Sequence, residues 1–250
     1  MIFFNKIKPL VFFFIFICNI NFAFCQEYKI DLSTYNGNND YWWLVHNNEG
    51  RYIHNNNLNF DFIDKRSKFE YKINLSNSFS QTEKLALGES FIKYNFNNNL
   101  FLRTGKYYRD FSVYLNDELS SGSMLVSKNA QPLKKIGLVG NYRLKKKDNF
   151  NFNWGISHGV FKKNKYYSDA PYLHEKFFYL NINQSNRNYF NIGLVHEAIW
   201  SGTTTMLGSS NNPGNQPDSF KDFLKVFISA DGPLIPGEPH ANALGSRIGI

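Results

Sequence analysis

The chain of 250 residues carries 28 Lys and Arg against 20 Asp and Glu, a formal charge of +8. Phe, Tyr and Trp make up 18% of it, although its mean hydropathy is negative. Both cysteines, Cys18 and Cys25, fall near the N-terminus, which excludes a disulfide-stapled secreted domain and any Cys-based metal or nucleophile site in the remainder. The basic excess is spread thinly, with Lys145-Lys146-Lys147 the only dense run. That is a weak nucleic-acid footprint, and it suits loop lysines that meet anionic lipid headgroups or an acidic glycan.

The chain opens as an export signal. Residues 1–8 contain Lys6 and Lys8 and no acid, residues 9–18 are almost wholly apolar, and Ala23-Phe24-Cys25 puts small residues where a signal peptidase reads. A membrane anchor needs about 20 apolar residues, and Asn19 interrupts this run well short of that. Bulky Ile17 and Phe24 before the two cysteines argue against lipoprotein processing. Residues 1–25 are therefore expected to be a signal peptide cleaved near Cys25 and Gln26, which leaves 26 basic against 20 acidic residues.

Residues 26–57 read as an irregular segment, with Asn and Gly punctuating Tyr41, Trp42 and Trp43. Strands are then predicted at 58–63, 68–80, 88–96, 100–108, 135–145, 149–160, 175–183, 189–197 and 222–229, with another from 243 onward. Their signal is a two-beat alternation. Phe69, Tyr71, Ile73 and Leu75 alternate with Glu70, Lys72, Asn74 and Ser76, and Phe150, Phe152, Trp154 and Ile156 alternate with Asn151, Asn153, Gly155 and Ser157. Successive side chains point to opposite faces of a strand, so this builds a sheet with one apolar and one polar face. At Ser80-x-x-Glu83 the spacing is that of a capping box with Gly88 as a stop, and a short helix or an early start of the next strand both fit there.

Turn chemistry falls at 97–99, 146–148 and 184–188, and long connections at 109–134, 161–174 and 201–221. Tight turns at one end and long loops at the other are the asymmetry of an outer-membrane barrel. The fold class expected is all-β: an antiparallel transmembrane β-barrel over 58–250, with a soluble β-sandwich as the competing reading of the same rhythm. Leu244, Ser246, Ile248 and Ile250 alternate up to the last residue without a closing aromatic, so the chain is expected to carry the N-terminal part of a larger barrel.

Few motifs carry chemistry. Gly155-Ile156-Ser157-His158-Gly159 matches a nucleophile elbow, but the elbow needs a strand-to-helix turn and this match lies inside an alternating run. His174-Glu175 and His196-Glu197 do not extend to His-Glu-x-x-His, so no metal site is expected, and the pairs are read as lining a lumen or loops near strand ends. Aromatics beside polar loops, among them Tyr107, Tyr108, Tyr166, Tyr167, Tyr172 and Trp200, suit either sugar stacking or an interfacial girdle. The stretch 118–132, with Gly122 and small Ser120, Ser121 and Ser123 around Met124, Leu125 and Val126, is expected to fold inward, because the apolar trio needs burial.

The stretch 118–140 is the most specific in the chain. Leu119-Ser120-Ser121-Gly122-Ser123 and Ser127-x-Asn129-Ala130-x-Pro132 resemble the signature region of the capsule assembly Wzi family of outer-membrane proteins, in the form found in Bacteroidetes-like bacteria. Further matches follow in order at Trp154-Gly155 to His158-Gly159, Tyr172-Leu173-His174-Glu175-Lys176, Gly193-Leu194-x-His196 with Trp200, and Leu244-Gly245-Ser246. Lys134 departs from the pattern, where a proline would be expected before the Lys-Ile step. The likeness implies a large non-enzymatic barrel in the outer membrane of a Gram-negative cell, without cofactor, that binds or organises capsular or other surface polysaccharide. A passive porin is the alternative, and an outer-membrane acyl hydrolase a more distant one.

No glycan contacts transfer from the likeness, so the expected ones rest on side-chain chemistry. Tyr167, Tyr172 and Trp200 offer stacking faces, Asn129 an amide for hydroxyls, and Lys176 a cation for an acidic sugar. Glu118 and Ser121 join them from the inward-folded stretch, and His174 and Glu175 either contact the glycan or anchor the loop.

Overall fold

Alternation within strands and turn residues between them draw this chain into an up-and-down meander. The structure, a computed structural model, describes residues 26–33, 57–78, 84–111, 125–127, 129–144, 150–183, 189–205, 214–229 and 246–249. Its first strands are β1 (Gln26–Ser33), β2 (Asn57–Arg66), β3 (Phe69–Ser78), β4 (Lys84–Leu87), β5 (Ser90–Asn97) and β6 (Leu100–Tyr107). The long strands follow: β7 (Leu133–Arg143), β8 (Phe150–Val160), β10 (Tyr172–Asn183) and β11 (Tyr189–Trp200), with the short β9 (Tyr167–Asp169) before β10. After them come β12 (Thr203–Thr204), β13 (Gly214–Asn215), one helix α1 (Phe220–Phe227) and β14 (Ser246–Gly249).

One antiparallel sheet runs β1-β2-β3-β5-β6-β7-β8-β10-β11-β14, with β4 paired to the end of β3. Among the described residues β1 and β14 end the path, and no pairing joins them. Two-residue turns at Ser67-Lys68 and Asn98-Asn99 lie at one end of the sheet, while β1, β6, β8 and β11 all end at the other. Gly105, at φ 136°, lets β6 approach β5 closely: a Cβ there would lie 2.4 Å from the Ser90 carbonyl oxygen.

The two faces of this sheet differ in character. Leu32, Ile30, Phe190, Ile192 and Leu194 all stand exposed on one face, Leu194 at 59%. The other face holds polar pairs: Lys72 with Glu89 at 2.7 Å, Lys93 with Glu70 at 3.3 Å, and the Asn74 amide donating to Asp61 at 2.6 Å. Asn74 is 2% exposed and Ser76 6%. The alternation in 69–76 therefore sorts as expected, with Phe69 and Ile73 on the apolar face and Asn74 on the polar one.

A small apolar cluster interrupts the polar face. Val139, Phe177, Tyr179 and Val195 are buried there together with Phe111, which arrives from the connection after β6. Leu125 and Val126 pack on the same cluster, so the described part of the stretch expected to turn inward does cover the polar face. Glycines make room for the rings. A Cβ on Gly155 would lie 2.4 Å from Phe177, and one on Gly193 2.0 Å from Tyr179.

Three elements bear on the sequence reading. β1 pairs with β2 along its whole length in a segment read as irregular, because its alternation is short and was masked by Asn-rich flanks. At 84–87, where a short helix and an early strand both fitted, a strand forms on β3; 79–83 lie outside the described residues. The third is α1, where a strand over 222–229 was expected. Phe220, Phe223, Leu224 and Phe227 are spaced three, four and seven apart, the period of a helix face, and Ser219 and Asp222 close a capping box at its start. Residues 1–25, Trp42, Trp43 and 118–124 lie outside the described residues. No described helix is long and apolar enough to cross a membrane, which says nothing of strands.

Candidate ligand site on the polar face

Register decides which side chains meet. Gly137, Ser157, Glu175 and Glu197 lie side by side across β7, β8, β10 and β11 on the polar face. One alternation step nearer the long loops, Lys135 joins them. Its Nζ donates to both oxygens of Glu175, at 2.8 and 3.1 Å, and to the Tyr108 carbonyl. The Ser157 hydroxyl donates to the same carboxylate, and the Tyr107 ring lies 4.7 Å from the ammonium. The pair is almost dry, with side chains 1% and 4% exposed. Charges removed from water persist only when paired and hydrogen-bonded, and this cluster meets that condition.

The described parts of the connection after β6 lie beside this cluster. Asp110 pairs with Arg103 on β6, Phe111 enters the apolar cluster, and the Tyr108 hydroxyl donates to the Ala130 carbonyl at 3.1 Å. Between that segment and the sheet lies a cavity of about 470 Å³. Leu173, Ile199 and Phe161 supply apolar wall, Lys135, Glu175 and Glu197 polar wall, and exposed Ser127 and Gln131 its edge. Apolar patches beside carboxylate and amide acceptors suit a ligand that is itself two-sided, with C–H faces and many hydroxyls.

The long loops add a small sheet of their own, with β12 pairing β9 on one side and β13 on the other. Asp169 ties it together, receiving Lys163 at 2.7 Å and the Thr203 hydroxyl at 3.1 Å. These two hydrogen bonds hold its carboxyl below the ordinary value.

The residues expected to form one glycan site do not assemble as one. Of those described, Glu175 alone lines the cavity. Tyr172, His174, Lys176 and Trp200 stand on the opposite, apolar face, because strand neighbours alternate and adjacency in sequence sends them apart. There the Tyr172 and Trp200 rings meet at a tilt, with centroids 5.3 Å apart. His174 is fully buried between His158 and His196, with ring centroids 4.8 and 5.8 Å away, beneath Phe227 of α1 at 5.7 Å. The Lys176 ammonium donates to the Phe227 carbonyl, a cation at the helix C-terminus. Tyr167 sits in β9, Asn129 is exposed near the cavity segment, and Glu118 and Ser121 lie outside the described residues.

Other expectations resolve by the same rule. Ser157 is in mid-strand and its neighbour His158 faces the other way, so no elbow forms in the Gly155–Gly159 motif. Of the two His-Glu pairs, Glu175 and Glu197 line the cavity, whereas the imidazoles lie on the far side of the sheet. Tyr108, expected as a stacking or girdle aromatic, lines the cavity, whereas Lys135 and Gln131 escaped the sequence reading. Nothing local marks them; only the alternation of β7 hinted that Lys135 would share a face with Gly137. Among the described residues no group of three His, Cys, Asp or Glu is placed to hold a metal ion. The chain matches no family model, no curated protein and no solved structure.

Proposed function

We propose that this sheet belongs to an outer-membrane β-barrel that holds a surface polysaccharide in the cavity under residues 125–133. The observation that carries the reading is the inversion of the two faces, apolar side chains exposed and polar ones buried, combined with a mixed cavity on the polar side. A lipid-facing sheet needs that inversion, and β7, β8, β10 and β11, at 11 or 12 residues, reach the roughly 9–11 needed to cross the hydrocarbon layer.

The cavity volume of about 470 Å³ lies in the range of ligand pockets, roughly 300–1,000 Å³. In it, sugar hydroxyls donate to Glu197, the Gln131 amide both donates and accepts, and apolar sugar faces lie on Leu173 and Ile199. Lys135 and Glu175 act as a fixed floor, since each already satisfies the other. The likeness of 118–140 to the capsule assembly Wzi family points to the same ligand class.

The test uses the full chain on cells and in vesicles. Gln131→Ala with Glu197→Gln is expected to lower capsular polysaccharide retention and in vitro polysaccharide binding roughly tenfold, with the protein still inserted. Unchanged binding in that variant would remove the cavity from the reading. Ion conductance with no polysaccharide binding by the parent protein would replace it with a porin.

A further inference from the structure

The apolar face carries a charge cluster that the glycan reading does not use. Lys106 and Lys134 are cross-strand partners on β6 and β7, and Lys162 follows the end of β8 at Val160, the strand partner of Lys134. Lys106 lies within electrostatic reach of both other lysines. Its ammonium donates to the Leu87 carbonyl, and among the described residues no carboxylate pairs with Lys106, Lys134 or Lys162. Three cations gathered without a counter-charge repel one another, so the arrangement is completed by an anion.

Register gives the depth of this cluster. Lys106, Lys134, Val160, Tyr172 and Trp200 form one row across β6, β7, β8, β10 and β11. The neighbouring rings of Tyr172 and Trp200 have the chemistry of side chains that sit at headgroup level, and the lysines share their row. Below the row a shallow, open groove of about 670 Å³ is lined by Leu87, Ile136, Val160 and Tyr172, with Lys106 and Lys134 at its edge. Ile136 is 50% exposed and Leu87 44%. An anion site directly above an exposed apolar groove matches one molecule that has both parts.

We propose that this face binds a phosphate-bearing membrane lipid, its phosphate held by Lys106, Lys134 and Lys162 and an acyl chain lying along Leu87, Ile136 and Val160. The proposal rests on the reading that the apolar face lies against lipid, and it is independent of what the cavity binds. A soluble phosphate would leave the groove empty, and an acidic glycan would meet an apolar floor that it cannot hydrogen-bond.

The experiment reconstitutes the full chain in phosphatidylcholine vesicles that contain spin-labelled phosphatidic acid or spin-labelled phosphatidylcholine. The motionally restricted fraction reports lipid held at the protein. Phosphatidic acid is expected to be preferred by roughly fivefold or more, and the preference is expected to vanish in Lys134→Gln with Lys162→Gln. Both lysines are exposed, so this variant keeps its fold, and its polysaccharide binding should equal that of the parent. Insertion without lipid preference, or a preference unchanged in the variant, overturns the lipid site and leaves the barrel reading intact. Displacement of the labelled lipid by inorganic phosphate alone, or by an acidic oligosaccharide, would also overturn it. Failure of the parent chain to insert would overturn the barrel reading and this site together.

Discussion

Lys135 and Glu175 stand 40 positions apart in the chain and meet as a two-pronged ion pair, 2.8 and 3.1 Å from ammonium to carboxylate oxygens, in a nearly dry part of the sheet. The pair joins β7 to β10 across β8, whose Ser157 supplies a further hydrogen bond. Removing one partner strands the other in low dielectric. Glu175→Gln is therefore expected to destabilise the folded protein by about 3–5 kcal/mol, and Lys135→Met with Glu175→Met to recover most of that loss. Denaturant unfolding from detergent micelles measures both, and a neutral single variant would show that the pair holds nothing together.

Leu194 and Asn153 probe the two faces at one level of the sheet. Leu194 is 59% exposed on the apolar side, and Asn153 sits on the polar side, opposite Tyr179. Leu194→Arg is expected to cost about 2–4 kcal/mol in a vesicle folding assay, and Asn153→Arg much less. Asn74 would be a poor comparison, since its buried amide already donates to Asp61. Equal tolerance at Leu194 and Asn153 would sink the assignment of the apolar face to lipid.

Gly193 carries the Tyr179 ring directly over its backbone. A methyl group there would lie 2.0 Å from Cδ1 and 2.7 Å from Cγ, atoms near the root of the side chain that cannot swing away. Gly193→Ala should cost about 1–3 kcal/mol, and a second substitution, Tyr179→Leu, should relieve part of it in a double-mutant cycle. Simple additivity of the two would contradict the packing described.

Asp169 gives the loop sheet a dependence on pH. Its folded carboxyl is held low by Lys163 and Thr203, so its contribution is present above the ordinary carboxylate value and fades as pH falls through the folded one. Amide exchange in 203–205 and 214–216 is expected to quicken below roughly pH 4, beyond the intrinsic change in exchange rate. Asp169→Asn should exchange quickly at all pH values. An acid-independent protection pattern in the parent would show that the ion pair does not order these loops.

What the sequence determined by itself was whatever depends on near neighbours. The alternation through Phe69, Tyr71, Ile73 and Leu75 specified strands and both of their faces, because side-chain direction follows from backbone geometry one residue at a time. The turn at 97–99 was legible for the same local reason, and so were the long connections after β6, β8 and β11. Even the apolar need of Leu125 and Val126 to be covered was visible, though not which side chains would cover them.

Tertiary structure decided the rest. Near α1 the residues Phe220, Phe223, Leu224 and Phe227 fitted a helix while other nearby apolar residues fitted a strand, and the capping box with the seat over His174 fell to the helix. Tyr172, His174, Lys176 and Glu175 looked like one site because they are adjacent in the chain, yet β10 divides them between the apolar and polar faces. Lys135, Glu175 and Glu197 became a site because strand register brought them level. Register is a property of paired strands, set jointly by turns, side-chain alternation and packing across the sheet, and no single segment contains it.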